Sequence, residues 1–77
     1  MVNSRESRVE ARYRSIGWTM LRGGGPDFIA LKVVAGKIAE DLAVEVKGPG
    51  DELAYEQAIY RMFLERHGVP YVVEVEE

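Results

Sequence analysis

The sequence predicts a small mixed α/β fold with the element order α-β-β-β-α-β, in which one mixed sheet carries a helix on either side. Two segments repeat apolar residues at helical spacing, and short runs rich in Val, Ile and Leu form the strand candidates. Glycine or proline marks nearly every boundary between them. At 77 residues, the chain is expected to be a single domain, residues 1–77.

The first helix is predicted to run from about Asn3 or Ser4 to Ile16. Asn3 or Ser4 can cap its start, and Gly17 follows its end. Its inward face is defined by the apolar residues Val9, Tyr13 and Ile16. Glu6 lies close to that face, whereas Glu10 is expected to point further towards solvent.

Three strands are predicted next, at Trp18–Arg22, Phe28–Val34 and Leu42–Lys47. The first is interrupted by a run of three glycines, the second turns through Ala35-Gly36-Lys37, and the third is closed by Gly48-Pro49-Gly50.

The second helix is predicted to begin at Asp51, a plausible N-cap, and to run to about His67. Gly68 stops it and Pro70 lies just beyond, before a last strand at Tyr71–Val75. The spacing of the helix places Gln57 within its apolar stripe, where an unpaired amide would cost a few kcal/mol.

Polar residues at two strand boundaries are the candidate catalytic residues. Asp27 follows Pro26 in the turn before the second strand, and strand alternation puts Glu45 and Lys47 on one face of the third. Two carboxylates can hold a hard cation such as Mg²⁺. Such a cation lowers the pKa of a bound water, and a lysine beside it can stabilise a phosphate transition state. This set is suited to hydrolysing a phosphodiester.

The composition limits the classes of function. No apolar run is long enough to span a membrane, and the polar N-terminus is unlike a secretory signal, so an intracellular, cytoplasmic protein is expected. The net charge of −3 argues against a strong nonspecific grip on nucleic acid. Arg5, Arg8 and Arg12 nevertheless form a stripe on the first helix that could contact DNA. A cysteine-free chain this short favours oligomerisation as a source of stability.

Taken together, Pro26-Asp27 and Glu45-Val46-Lys47 resemble the signature of the PD-(D/E)-x-K nucleases. The run from Lys47 through Gly48-Pro49-Gly50-Asp51 and Leu53 to Gln57 is similar to the VRR-NUC family, the virus-type replication-repair nuclease branch of that superfamily. The resemblance covers nearly the whole chain and is strongest from Gly23 to Gly68.

The resemblance implies a restriction-endonuclease-like core and a site for Mg²⁺ or Mn²⁺. Asp27, Glu45 and the Val46 carbonyl would be the metal ligands, with a first-helix glutamate, Glu6 or alternatively Glu10, at the edge of the site. Lys47 would orient or help deprotonate the attacking water, and Gln57 would lie near the active site.

Stand-alone relatives of this size, as in phages and bacteria, resemble enzymes that resolve DNA junctions as homodimers. The resemblance therefore implies a structure-selective DNA endonuclease acting on branched DNA, such as a four-way junction, and a bacterial, phage or archaeal source. Two other interpretations stay open at this point. One is a nuclease-fold module that binds branched DNA or a protein without cutting, and the other is a structural α/β protein.

Overall fold

The computed structural model of the protein describes residues 4–22 and 25–77. The predicted cap Asn3 lies outside these residues. The elements are α1 (Ser4–Ser15), β1 (Thr19–Arg22), β2 (Phe28–Val34), β3 (Lys37–Lys47), α2 (Tyr55–Arg66) and β4 (Tyr71–Val75). This confirms the predicted order α-β-β-β-α-β. Within the described residues, no helix is long and apolar enough to cross a membrane.

The four strands form one mixed sheet in the order β1-β2-β3-β4. The first three strands pair antiparallel, and β4 pairs parallel to β3. The connection between these parallel strands contains α2, as a parallel crossover requires. Strand alternation sends Val44 and Val46 to the α1 side of the sheet and Glu45 and Lys47 to the α2 side.

The hydrophobic core lies between α1 and the sheet. Its buried side chains are Val9, Met20, Phe28, Ala30 and Val44, with Tyr13, Trp18, Leu42 and Val46 packed against them. Val9 comes from the centre of α1, and Phe28 and Val44 are register partners on neighbouring strands. Ile16, predicted to face inward, is instead 69% exposed, because it lies past the last helical residue, where the chain turns away.

Both helices end at the glycines that the sequence indicates. After α1, Gly17 adopts a φ of +97° while the N–H of Trp18 donates to the carbonyl of Tyr13 at 3.1 Å. After α2, Gly68 adopts a φ of +78° while the N–H of Val69 donates to the carbonyl of Leu64 at 3.0 Å. These are the bonds of a Schellman motif, which favours glycine at the left-handed position.

The third strand begins earlier than predicted, at Lys37 rather than at Leu42. Ala35 and Gly36 both have positive φ, the combination that a two-residue type I′ hairpin requires, so Lys37 pairs directly with Val34. The added residues are exposed and include two acids, which is why their side chains gave no strand signal.

The second helix begins later than predicted, at Tyr55 with Ala54 as its N-cap. Asp51 does not cap it, because its Oδ2 accepts the N–H of Gly48 at 3.0 Å and closes a turn over residues 48–51. The predicted apolar stripe of α2 does not become buried either, since α2 contributes no buried residue. Gln57 is half-buried and has polar partners instead.

Candidate active site

The candidate active site lies at the end of β3, on the face of the sheet that carries α2. Glu45 and Lys47 share this face through strand alternation. Because Phe28 is the register partner of Val44, the turn residue Asp27 comes opposite Glu45. The hairpin register therefore brings together a turn carboxylate and a strand carboxylate that are distant in sequence.

Asp27 and Glu45 are fixed by reciprocal backbone bonds. Oδ2 of Asp27 accepts the N–H of Val46 at 2.8 Å, and Oε2 of Glu45 accepts the N–H of Asp27 at 3.3 Å. Each carboxylate is therefore oriented by the backbone beside the other. The backbone of Val46 lies within this cluster, as a carbonyl ligand would have to.

Three further side chains surround Glu45. Gln57 donates from Nε2 to Oε1 of Glu45 at 2.8 Å, and its own Oε1 accepts the N–H of Ala54 at 2.8 Å. The hydroxyl of Tyr71 donates to Oε2 of Glu45 at 3.3 Å. The Nζ of Lys47 lies 3.8 Å from Oε1 of Glu45. Gln57 thus ties the first turn of α2 to the strand carboxylate.

The surroundings of Glu45 disfavour the charged form of its carboxyl group. The residue is 2% exposed, and burial raises the pKa of its carboxyl, with the negative charge of Asp27 raising it further. Lys47 and the bond from Tyr71 oppose this shift in part. Burial, together with the charge of Glu45, also raises the pKa of the Tyr71 phenol, so Tyr71 stays a hydrogen-bond donor at neutral pH.

A cleft of about 240 Å³ opens beside this cluster, lined by Gly25, Glu56, Gln57 and Tyr60. A Cβ at Gly25 would clash with the ring of Tyr60, so only glycine permits this close approach. The cleft therefore lies on the Gln57 side of the candidate site.

The first-helix glutamates lie in a different environment. Arg22 bridges them, with NH1 at 3.2 Å from Oε1 of Glu6 and NH2 at 3.0 Å from Oε1 of Glu10. Their side chains are almost equally exposed, at 22% and 21%, so the expectation that Glu10 would point further towards solvent is wrong. The described residues, 4–22 and 25–77, contain no group of three or more Asp, Glu, His or Cys side chains placed to share an ion.

The arginine stripe of α1, defined as Arg5, Arg8 and Arg12, faces the end of the chain. The carboxylate of Glu76 forms ion pairs with the guanidinium groups of Arg8 at 3.0 Å and Arg12 at 2.7 Å. Arg5 and Arg8 also donate hydrogen bonds to the backbone carbonyl of Glu77. A Cβ on Gly48 would lie 2.9 Å from the guanidinium of Arg5, so the stripe begins beside the loop that follows Lys47. Arg8 and Arg12 are about half exposed, and their charges are already neutralised in part by Glu76.

Sequence reasoning missed Tyr71 and Glu76. The sequence predicts Tyr71 only as the start of the last strand, yet the parallel register with Ala43 puts it on the face of Glu45. The one sequence signal for a role of Tyr71 is its residue type, because a buried tyrosine hydroxyl needs a hydrogen-bond partner. No sequence pattern assigns Glu76 a role, and the bond from its N–H to the Lys47 carbonyl depends on how the end of β4 lies beside β3.

Comparison with known proteins identifies the family of the chain. The family model of the VRR-NUC domain matches residues 4–75, which is essentially all of the chain. Comparison with curated proteins gives no match.

Proposed function

Because this chain belongs to the VRR-NUC domain family, a nuclease-type domain, we propose that it is a Mg²⁺- or Mn²⁺-dependent endonuclease. It hydrolyses phosphodiester bonds in DNA and selects branched structures such as four-way junctions. Asp27 and Glu45 hold the cation together with the carbonyl of Val46, and Lys47 assists the attack.

The observation that carries the proposal is the pairing of two carboxylates around a buried position. Glu45 is held beside Asp27 with Lys47 at 3.8 Å, and the pKa of Glu45 is raised by its burial and by the neighbouring charge. Carboxylate and carbonyl oxygens are the ligands of hard divalent cations, and a bound dication would offset this repulsion. The donor set therefore fits Mg²⁺ or Mn²⁺.

The bound cation would supply Lewis-acid polarisation of the phosphate and a lowered pKa for the attacking water. The residues around it have separate tasks. Lys47 presents an ammonium donor to the attacking water or to a phosphate oxygen as negative charge builds. Gln57 and Tyr71 orient the carboxylate of Glu45 through its two oxygens. The backbone N–H of Val46 fixes the carboxylate of Asp27.

The preference for branched DNA follows from the family resemblance and from the charge of the surface. The arginine stripe extends from the loop after Lys47 along α1 and can follow one phosphate backbone. A homodimer would present two such sites to two strands, which suits a junction of two-fold symmetry.

The test is cleavage of labelled four-way junction, flap, single-stranded and duplex DNA, with and without Mg²⁺ or Mn²⁺. We expect cation-dependent cutting that is lost in Asp27→Asn and Lys47→Ala. Lys37→Ala is the matched control, since Lys37 lies at the exposed far end of the same strand and should cut normally.

Equal cleavage by the wild type, Asp27→Asn and Lys47→Ala would overturn the assigned site. Tight binding of junction DNA without any cleavage in either cation would instead identify a nuclease-fold binding module.

A further inference from the structure

A second cavity, of about 530 Å³, opens at the C-terminal end of α1. Its lining includes Arg12, Tyr13, Ile16, Trp18, Leu42 and Glu74. Glu74 is the register partner of Val46, so it lies on the α1 side of the sheet. The cavity and the candidate active site, which contains Glu45 and Lys47, are therefore on opposite faces of the sheet.

Two aromatic rings form a corner in this cavity. The ring centroids of Tyr13 and Trp18 are 6.0 Å apart, and the ring planes meet at 63°. Ile16, which is 69% exposed, adds an apolar edge. A flat aromatic ligand can stack on one ring while its edge meets the other. Nucleobases are ligands of this shape, and stacking on aromatic side chains is a common way to hold single-stranded nucleic acid.

The carboxylate of Glu74 gives the cavity a hydrogen-bond acceptor. Its Oε1 accepts the hydroxyl of Tyr13 at 2.7 Å. Burial, together with this bond, raises the pKa of Tyr13 to about 12, so the hydroxyl keeps its proton at neutral pH. Oε2 of Glu74 accepts no hydrogen bond from residues 4–22 and 25–77. Cytosine and adenine carry an exocyclic amino group that can donate to this oxygen, whereas thymine carries a carbonyl in that place.

The charges at the rim do not favour a phosphate alone. Arg12 pairs with Glu76 at 2.7 Å. The Nζ of Lys32 lies 5.0 Å from the centroid of the Trp18 ring, and the register partner of Lys32 is the acidic Glu40. Each cation thus has an acidic neighbour, so its attraction for an isolated anion is weak. Recognition of a nucleotide here would depend on its base more than on its phosphate.

The cavity continues the arginine stripe, since Arg12 belongs to both. From Arg5 to Arg12 the helix rises about 10 Å, which is the rise of about three stacked nucleotides. We propose that the cavity binds one unstacked nucleobase with an amino group, cytosine or adenine, from a DNA strand that follows the stripe.

This base site rests on the proposed function and narrows its substrate class. A fully paired duplex keeps its bases within the stack, and taking one out costs free energy. An unpaired nucleotide enters the cavity without that cost. The base site therefore favours branched DNA with an unpaired nucleotide near the branch over uniform duplex.

Intrinsic fluorescence tests the base site directly, because Trp18 is the only tryptophan in the sequence. The protein is titrated in chelator, which prevents metal-dependent cleavage, with short single strands of deoxycytidine, deoxyadenosine or thymidine. The cytosine and adenine strands should quench Trp18 and bind about five-fold more tightly than the thymine strand. An abasic strand, which keeps the phosphates but has no bases, should cause no quenching.

Two variants test the residues that define the base site. Glu74→Gln should abolish the preference over thymine, because an amide can donate to the thymine carbonyl and still accept the Tyr13 hydroxyl. Ile16→Glu should weaken binding of the cytosine strand about five-fold, since it replaces an apolar edge with a negative charge. Met62→Glu is the matched control, because Met62 is 65% exposed on α2, and it should bind as the wild type does.

An absence of quenching, equal quenching by the abasic strand, equal affinity for thymine, or an unchanged preference in Glu74→Gln would overturn the base site. These titrations contain no divalent cation, so their failure leaves the nuclease assay unaffected. A protein that passes them but never cuts DNA would keep the base site and overturn the proposed nuclease activity.

Discussion

At the scale of single residues, the site is built around a carboxylate that its surroundings disfavour. Glu45 is buried beside Asp27, and burial together with that charge raises its pKa. Hydrogen bonds from Gln57 and Tyr71 satisfy its oxygens but add no positive charge. Functional sites commonly keep such repulsion because a bound ligand relieves it.

We therefore expect Asp27→Asn to be at least as stable as the wild type in the absence of divalent cations. An asparagine oxygen can still accept the N–H of Val46, while the repulsion of Glu45 is removed. Mg²⁺ or Mn²⁺ should raise the melting temperature of the wild type by linkage, and the variant should lose most of that increase. A melting-temperature increase of equal size in the variant would show that Asp27 is not a ligand.

The same repulsion predicts how metal-free stability depends on pH. The folded-state pKa of Glu45 lies above its ordinary value of 4.5, so the folded protein binds this proton more tightly than the unfolded chain. The contribution of Glu45 is therefore present in full below pH 4.5 and is lost as the pH rises through the folded pKa. Denaturant unfolding in chelator should show this loss, with a shallower slope in Asp27→Asn. Identical slopes would mean that Asp27 does not contribute.

Gln57 acts on both the helix and the site. It accepts the N–H of Ala54 at the start of α2 and donates to Glu45. Gln57→Leu should reduce the free energy of unfolding by about 1–2 kcal/mol, since two hydrogen bonds are lost, and should also reduce the cleavage rate. Gln57→Glu should keep the bond to Ala54 but place a second charge against Glu45, so its activity loss should exceed its stability loss. Unchanged activity in both variants would limit Gln57 to a helix-start role.

At the scale of elements, α1 presents its arginine stripe to the acidic end of the chain. Glu76 is fixed there by the bond from its N–H to the Lys47 carbonyl and by Arg8 and Arg12. Arg12 and Arg8 also hold the pKa of Glu76 below its usual range. The arginines are about half exposed, so these ion pairs are weak enough for DNA phosphates to replace.

We accordingly expect Glu76→Gln to tighten binding to every DNA structure, because phosphate no longer competes with a carboxylate. Replacing Arg5, Arg8 and Arg12 with glutamine should weaken binding and flatten its salt dependence by up to roughly 0.9 in log–log slope for each lost contact. Glu40→Gln serves as a charge-matched control, since Glu40 lies on the exposed part of β3 away from the stripe. Titration by fluorescence anisotropy at several salt concentrations measures both effects, and an unchanged slope in the triple variant would assign the stripe to solvent.

The elements that local sequence specifies were predicted well, and those that depend on distant pairing were not. Gly17 and Gly68 end helices because left-handed backbone favours glycine wherever the fold is. Asp51 has the residue type of an N-cap, yet the turn at Gly48 uses its carboxylate first. The lower half of β3 forms because the hairpin extends it, although its side chains remain exposed.

The candidate site also combines features that local sequence specifies with features that depend on distant strand pairing. Asp27, Glu45 and Lys47 belong to a motif whose geometry is fixed by strand alternation and one hairpin, so their proximity is predictable from the sequence. Tyr71 reaches Glu45 only through the parallel register of β4, which no local pattern reports. The pairing of Glu6 and Glu10 with Arg22 depends on how α1 crosses the sheet, and helical spacing alone could not distinguish the two glutamates.

At the scale of the whole molecule, the described core lies mainly on one side of the sheet, between α1 and the strands. The other side carries α2, which buries no residue and keeps its apolar stripe exposed. A small, one-sided core supplies little stability by itself. Assembly of two copies would supply more, and it would also set the spacing of the two candidate sites.

A symmetric pair of sites predicts paired cleavage of a four-way junction. Each subunit would cut one of two opposed strands, so the wild type should release products nicked at symmetric positions within one binding event. On a supercoiled plasmid bearing a cruciform, paired cutting gives linear product directly, whereas independent nicking gives open circles first.

Mixed dimers of active and inactive subunits test directly whether the two cuts come from one dimer. When wild-type protein is mixed with an excess of Asp27→Asn, most active subunits acquire an inactive partner, while junction binding stays the same. Open circular product should then replace linear product in proportion to the heterodimer fraction, because one site per junction still cuts. A wild type that makes only uncorrelated nicks would contradict the paired mechanism and would indicate flap-type or nonspecific cutting by single sites.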